Sequence, residues 1–333
     1  MQRYAVDLDD AMRRIVDMVP SSTPGLDVMI RYPLGWVDQD NRPYSGTTGK
    51  RIRPLFLLLC TEAAGGRWQD ALYAAAAVEL LHNFSLLHDD IQDNSPIRHG
   101  RPTVWKIWGQ PNAINAGDLL FALAYSALHK LSELSIPPDV VLQVWDIFNH
   151  TNLELTRGQH LDMRFEQQTV VSVDEYISMI TGKSAALLAA CAQIGALIAT
   201  NNTQLAERYA DFARNLGIAF QIRDDILGIW GEEAVTGKSA ATDILSKKKS
   251  LPVLYGLMRS TRLAEIYQCE SLSEADVQEA VQELDRLDAQ QYTLQLETDY
   301  YNRAIAALDL ADPQGQAAGW LREFAALLFG RSY

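Results

Sequence analysis

The chain has 333 residues, 48% of them hydrophobic and 21% charged, with a formal net charge of −13 at pH 7. That acidity excludes nucleic acid or an anionic membrane surface as a general partner, while leaving room for one local basic pocket. Cys60, Cys191 and Cys269 stand far apart with no CxxC or Cys/His spacing, which argues against structural zinc and fits a reducing cytoplasm.

In chain order, MQRYAVDLDDAMRRIVDMV is an amphipathic helix with acids inside it, unlike a secretion signal. Residues 20–47 hold Pro20, Pro24, Pro33, Pro43, Gly25, Gly35 and Gly46 and predict a loop. From Pro54 onward helical periodicity dominates, over 54–64, 69–92, 115–133, 138–166, 173–181, 183–199, 204–230, 251–258, 273–307 and 313–329. Short punctuated turns such as EAAGGRW and SIPPD separate these segments, and strand alternation is nowhere sustained. The most apolar window, SAALLAACAQIGALIA at 184–199, is too short and too Ala-rich for a membrane span; it reads as a central helix buried on all sides. With no fixed-period repeat and no dividing linker, the expectation is one all-α domain without a transmembrane segment. Its parts are an N-terminal helix and loop (1–48), a motif-bearing core (49–252) and C-terminal helices (253–333).

The core carries two acid pairs. In LLHDDIQDNSPIRHGRPT, Asp89 and Asp93 are four residues apart and lie on one helix face about a turn from each other. Like charges so placed repel unless a cation sits between them, and Mg²⁺ commonly takes one or two carboxylates while keeping positions for water and phosphate. A solvated helix end is the plain alternative for one such motif. The second pair, Asp224 and Asp225 in AFQIRDDILGIWG, repeats the arrangement behind Gln221. Cations are scattered around both: Lys50, Arg51 and Arg53 in GKRIRP, Lys183 in TGKSA, and Lys238, Lys247, Lys248 and Lys249 in GKSAATDILSKKKSLP. Acid pairs with basic groups suit a magnesium diphosphate, whose charge needs both.

These segments, in this order, resemble the trans-polyprenyl (isoprenyl) diphosphate synthase family. GKRIRP matches its GKRxRP segment, residues 79–103 its ExxHxxSLxHDDxxDxxxxRRGxPT segment, and GQHLD, KSA, FQIRDD and GKSAATDILSKKKSLP its later segments. The resemblance implies an all-α homodimer, a single large helical bundle of the isoprenoid synthase type with a deep central cavity, the two acid motifs facing each other near its mouth. It implies condensation of isopentenyl diphosphate with an allylic diphosphate, head to tail, with three Mg²⁺. On that pattern Asp89, Asp93 and Asp224 ligate metal with Asp90 and Asp225 in support. Arg98, Lys183, Lys248 and Lys238 neutralise the allylic diphosphate, and Lys50, Arg53, His82 and Gln221 position isopentenyl diphosphate.

Three positions depart from the pattern. The family's consecutive arginines become Arg98-His99, and His99 is a cation only when protonated and offers no bidentate fork. Gly228 stands where a third Asp is common, and Ala241 where a glycine is common. Gly228 also makes DDILGIWGE loosely similar to the metal motif of class I terpene cyclases, which share the fold and take no isopentenyl acceptor. A non-catalytic subunit of a heteromeric synthase is a third reading. GKRIRP, His82 and Lys248 favour prenyl transfer. Phe84, five residues before Asp89, and Ser85 beside it are expected at the pocket floor, which in the family goes with a C20 product; geranylgeranyl diphosphate is therefore expected, farnesyl diphosphate next. Trp105, Trp108 and Trp230 read as packing residues, and His88 and His160 as neighbours of the acids rather than ligands.

Overall fold

Tyr4, Leu8, Met12 and Ile15, spaced four, four and three apart, form one buried stripe on α1 (Gln2–Val16), as helical geometry requires of an amphipathic segment. The computed structural model describes residues 2–20, 25–46, 49–168, 170–231 and 241–330, helical almost throughout. These gather into two compact units, residues 1–146 with 194–203, and residues 147–193 with 204–333.

The first unit continues with α2 (Leu26–Arg31), inside the stretch expected to be loop, then α3 (Ile52–Ala63) and α4 (Leu72–Gln92). A two-stranded hairpin, β1 (Ile97–Arg98) and β2 (Arg101–Pro102), leads to α5 (Val104–Trp108), α6 (Gln110–His129) and the first residues of α7 (Pro138–Gln167). Ala74–Ala77 of α4 and Ala113, Ala116, Ala124 and Ala127 of α6 are buried, and such small side chains let two helix backbones approach closely. Gly195, near the end of α9 (Ala186–Thr200), is needed for the same reason: a Cβ there would lie 2.6 Å from the Leu57 carbonyl oxygen of α3.

One side chain secures α1. Asp9 accepts from Arg51 Nη1 at 2.5 Å, Arg13 Nε at 2.7 Å and Trp36 Nε1 at 2.8 Å, which ties the helix to the following loop and to the start of α3. Burial works against the ionised form of Asp9, but these donors outweigh it and hold the carboxyl below its ordinary value.

The second unit holds the rest of α7, α8 (Val173–Ile180), α10 (Thr203–Trp230), α11 (Thr242–Leu245), α12 (Leu251–Leu257), α13 (Thr261–Gln268), α14 (Glu274–Arg286), α15 (Ala289–Ala311) and α16 (Gly315–Phe329). Helix α8 begins with a capping box in which Ser172 and Glu175 satisfy each other's backbone N–H groups. Between α8 and α9 the chain widens into a π-helical turn, Thr181–Ala185. Tyr176, Ile180, Ile218, Ile222, Ile226, Leu251 and Leu254 share one core cluster; Ile229, Val253, Leu263, Ile266 and Leu284 share another. The helix expected over 273–307 is two helices, because Asp288 adopts a left-handed conformation (φ 55°) that Asp tolerates and a helix interior does not. The stretch Val173–Thr200 is long and apolar enough to cross a membrane, yet 67% of its apolar window is buried inside the protein, as expected of a core helix.

Asp9→Asn should cost about 1–3 kcal/mol of stability at neutral pH, read from urea unfolding. Because the folded-state pKa of Asp9 is depressed, this difference is full above the ordinary aspartate value of 3.8 and shrinks as pH falls through the folded value. A gap unchanged down to about pH 2 would refute the ionic account.

Candidate active site

The last turn of an α-helix carries partial negative charge, so acids placed there are unstable unless paired. Helix α4 ends with Asp89 and Asp90 in its last turn and Asp93 at its C-cap. The hairpin brings Arg98 back to them: Nε donates to Asp90 Oδ1 at 2.7 Å and Nη2 to Asp89 Oδ2 at 3.2 Å. Asp90 is only 4% exposed, and burial raises its carboxyl pKa although Arg98 pulls the other way. Asp89 is half-buried and Asp93 is exposed. Asp93 is thus the exposed acid of the three, while Asp89 and Asp90 both hold the arginine.

The hairpin turn explains where His99 sits. His99 and Gly100 both have positive φ (51° and 75°), the two-residue turn that matches the twist of paired strands. His99 is exposed, and its Nε2 lies 4.0 Å from where a Gly49 side chain would begin, beside the exposed Lys50. The segment after Asp93 is pinned at the Ser95 carbonyl, which accepts from Thr103 Oγ1 and Trp105 Nε1, both at 2.9 Å. Trp105 is a packing residue with a structural hydrogen bond. Arg101, assigned no role from the sequence, anchors the hairpin: its guanidinium lies over the Tyr32 and Tyr44 rings at 3.8 and 4.0 Å and donates to the carbonyls of Tyr32 and Val37.

Near the start of α3, Arg53 Nη1 is 3.1 Å from His82 Nε2. Desolvation, then electrostatic repulsion by Arg53, Arg98 and His99, holds the His82 imidazole well below its ordinary value, so the neutral ring nitrogen accepts a hydrogen bond from the Arg53 guanidinium. One turn earlier Glu79 is buried; Asn83 Nδ2 donates to it at 3.2 Å, and burial raises its carboxyl against the pull of Arg51, Asn83 and Arg53. Glu79 heads the ExxHxxSLxHDD segment, but nothing in that match showed that it is buried. Phe84 is half-buried, its ring 4.9 Å from Phe121 and 4.7 Å from His88, in a series that continues through Tyr125 to Trp145. Ser85 Oγ donates to the His82 carbonyl at 2.8 Å.

The second unit repeats the arrangement on α10. Asp224 is exposed and Asp225 is 0% exposed. Asp225 accepts from the buried Tyr176 hydroxyl, the Leu251 N–H at 2.9 Å, Lys248 Nζ at 3.1 Å and Gln221 Nε2 at 3.4 Å. Burial, then the neighbouring Asp225, raises the Tyr176 phenol well above its ordinary value, so it stays a donor. Asp225 foremost also raises Lys248, keeping it an ammonium. Lys183, on the π-helical turn, pairs with Asp162 of GQHLD. That contact depends on Gly158: a Cβ there would meet Lys183 N at 2.2 Å and Gly182 C at 2.7 Å. Ser184 Oγ donates to Gln221 Oε1 at 2.8 Å. Within the lysine run, Lys249 has a different task, donating to the carbonyls of Phe165, Glu166 and Gln168 at the C-terminus of α7. Ala241 has φ 57°, the left-handed region that favours glycine, which accounts for glycine being common there. Lys238 lies outside the described residues.

Each unit by itself offers donors that fit a hard divalent cation. The half-buried Asp89 and exposed Asp93 in the first, and the exposed Asp224 in the second, present oxygen ligands only. Among the described residues no three His, Cys, Asp or Glu side chains converge on one ion. Mg²⁺ suits so sparse a set, because it takes most of its octahedron from water and phosphate.

The class of protein follows from this site on these helices: an all-α fold of the isoprenoid synthase type. The superposition partners include a polyprenyl synthetase from Streptomyces coelicolor A3(2), with a TM-score of 0.89 and 32% identity over 98% of each chain. The family model described as Polyprenyl synthetase matches residues 36–284. The chain is 42% identical over 232 residues, 70% of its length, to the (2E,6E)-farnesyl diphosphate synthase of Mycobacterium tuberculosis (strain ATCC 25618 / H37Rv), and spans 63% of that relative's own length. It is 38% identical over 284 residues to the geranylgeranyl diphosphate synthase of Sulfolobus acidocaldarius, covering 83% of this chain and 86% of that one. The chain belongs to the polyprenyl synthetase family.

Gly158→Ala should destabilise the protein by about 1–3 kcal/mol, because the neighbouring atoms are backbone and cannot swing aside. Denaturant unfolding with an unchanged midpoint would show that the two backbones do not touch as described.

Proposed function

We propose that this protein is a magnesium-dependent trans-prenyltransferase that condenses isopentenyl diphosphate with an allylic diphosphate, head to tail. The observation that carries the reading is the pairing of each acid motif with its own cation, Asp89 and Asp90 with Arg98, and Asp225 with Lys248. Such pairs can exchange partners: an incoming magnesium diphosphate offers metal to the carboxylates and phosphate oxygens to the ammonium and guanidinium groups. The names of the relatives, farnesyl and geranylgeranyl diphosphate synthase, support the same chemistry. The family match runs across residues of both units, which supports treating the chain as one polyprenyl synthase domain. We take the enzyme to be a cytoplasmic homodimer.

In this reading Asp89, Asp93 and Asp224 would hold the metal ions, three per site, and Asp90 and Asp225 hold the cations beside them. When bound, the metal would supply stabilisation for the charge on the departing diphosphate. Arg98, Lys183 and Lys248, with Lys238, add fixed positive charge to the same leaving group. Lys50, Arg53, His82 and Gln221 orient isopentenyl diphosphate, with neutral His82 fixing the Arg53 guanidinium. His99, whose imidazole faces Gly49, is a weaker contact to the same acceptor. The isopentenyl double bond then attacks the allylic cation and a proton is lost, so no side-chain nucleophile is required. Apolar and aromatic walls exclude the water that would quench the cation.

Product length follows from the pocket floor. Phe84, backed by Phe121, is proposed to stop the growing tail at C20, with C15 the next expected product. Incubation with Mg²⁺, isopentenyl diphosphate and each of the C5, C10 and C15 allylic primers tests the reaction. Elongation is expected with at least one primer, and Asp89→Ala should lower kcat by at least about 10²-fold with helicity retained. Hydrocarbon release instead of elongation would make it a cyclase, and no turnover with any primer would remove the proposal. Phe84→Ala should lengthen the product, sized by chromatography; an unchanged product would show that the floor lies elsewhere.

A further inference from the structure

The first acid motif has a carboxylate four residues after Asp89, at Asp93, whereas four residues after Asp224 the second motif has Gly228. Another side chain fills that place. A Cβ built on Gly228 would lie 2.5 Å from both Cγ and Oδ2 of Asp243, and 2.9 Å from its Oδ1. The Asp243 carboxylate, carried by α11, therefore rests on the face of α10 one turn beyond Asp224, where the side chain of residue 228 would otherwise stand. It also touches Lys248: Oδ2 accepts from Nζ at 3.3 Å, the same ammonium that reaches Asp225 at 3.1 Å.

We infer that Asp243 supplies the second acid motif's third carboxylate from α11, and is the positioning residue that holds Lys248 beside Asp225 for the leaving diphosphate. The inference rests on the prenyl-transfer reading for the identity of that diphosphate. Its physical basis is the freedom of lysine. The Lys248 side chain is 43% exposed, and one carboxylate would leave its long stem several rotamers. Two carboxylates on different elements restrict the ammonium to the place where both can be met. Charge favours the same result, since Asp225 and Asp243 both raise Lys248.

Gly228 and Asp243 are then a matched pair. An aspartate at 228 looks like a repair of the motif but would push the Asp243 carboxylate off its place and set a second negative charge beside it. With Asp243 shortened to alanine the space opens, and a carboxylate at 228 starts from beside the position that Oδ2 held, within reach of the same ammonium. The Asp243 backbone carbonyl, which accepts from Lys248 N at 2.8 Å and Ser246 Oγ at 3.3 Å, is untouched by that change.

The test compares the full chain with Asp243→Ala, Gly228→Asp and the double variant. Steady-state kinetics with Mg²⁺ are read beside calorimetric binding of inorganic diphosphate in the presence of Mg²⁺. Each single variant should lose about 10–100-fold in kcat and at least about fivefold in diphosphate affinity, with KM for isopentenyl diphosphate within about twofold of wild type. The double variant should recover both to within about fivefold of wild type, a non-additivity expected only of groups that share one place. Asp243→Ala at wild-type levels, or losses that multiply in the double variant, would overturn the inference. If the wild type elongates no primer, the prenyl-transfer reading fails, while recovery or multiplication in the diphosphate titration still decides the pairing. Should Asp243→Ala melt below the assay temperature, Asp243→Asn, which keeps the shape, is expected to show the same losses, and wild-type values there would overturn the inference.

Discussion

A carboxylate shielded from water must be protonated or held against positive charge and hydrogen-bond donors, and the inner aspartate of each acid pair imposes that requirement on its unit. Asp90 meets it with Arg98, and Asp225 with Lys248, Tyr176 and the Leu251 backbone N–H. The consecutive aspartates therefore divide the work. The first of each pair is the more accessible, Asp89 half-buried and in contact with Arg98 and Asp224 exposed, and the second is buried against a cation close by. Reversing that order would bury the more accessible carboxylate and leave the cation without its buried anchor.

The secondary structure around each pair serves to return a basic residue to it. In the first unit a tight hairpin reverses the chain within a few residues of Asp93, and Arg101, stacked on two tyrosines, keeps the reversal in place. In the second the short α11 and the turn after it bring Lys248 and Asp243 to α10. Not every charged neighbour takes part. Arg223, adjacent to Asp224 in sequence, faces away and forms a buried pair with Glu297 of α15, Nε to Oε1 at 2.7 Å. Such a pair is costly to break, since removing one partner strands the other without solvent. The exposed pairs of the outer helices, such as Arg262 with Glu279, contribute little by comparison.

Much of this was legible in the residues alone. Apolar spacing located α3, α4, α7, α8, α9 and α10 to within a few residues, and the four-residue interval of Asp89 and Asp93 put them on one helix face. The misses have physical causes. The break at Asp288 falls inside a run whose composition favours helix throughout, so only the backbone angle reveals it. Helices α2 and α11 are too short for periodicity to register. Arg101 looked like an ordinary polar residue, and Glu79, Asp162 and Asp243 fell inside matched segments without a role, because what distinguishes them lies in the fold: the Tyr32 ring for Arg101, burial for Glu79, Lys183 for Asp162 and Gly228 for Asp243.

What the sequence determined by itself is the chemistry on offer: an all-helical chain, two acid pairs, a set of basic residues in a particular order, and His99 and Gly228 where relatives usually have other residues. These are properties of spacing within single helices and of residue type, both of which are local. The tertiary structure decided which acid meets which base, that Asp90 and Asp225 are buried while Asp93 and Asp224 are exposed, and that Lys249 caps a helix beside a lysine bound to Asp225. It also turned Gly228 from an omission into a space occupied by Asp243. The reason is that a charge acts through distance and burial, and both are set by elements that lie far apart along the chain.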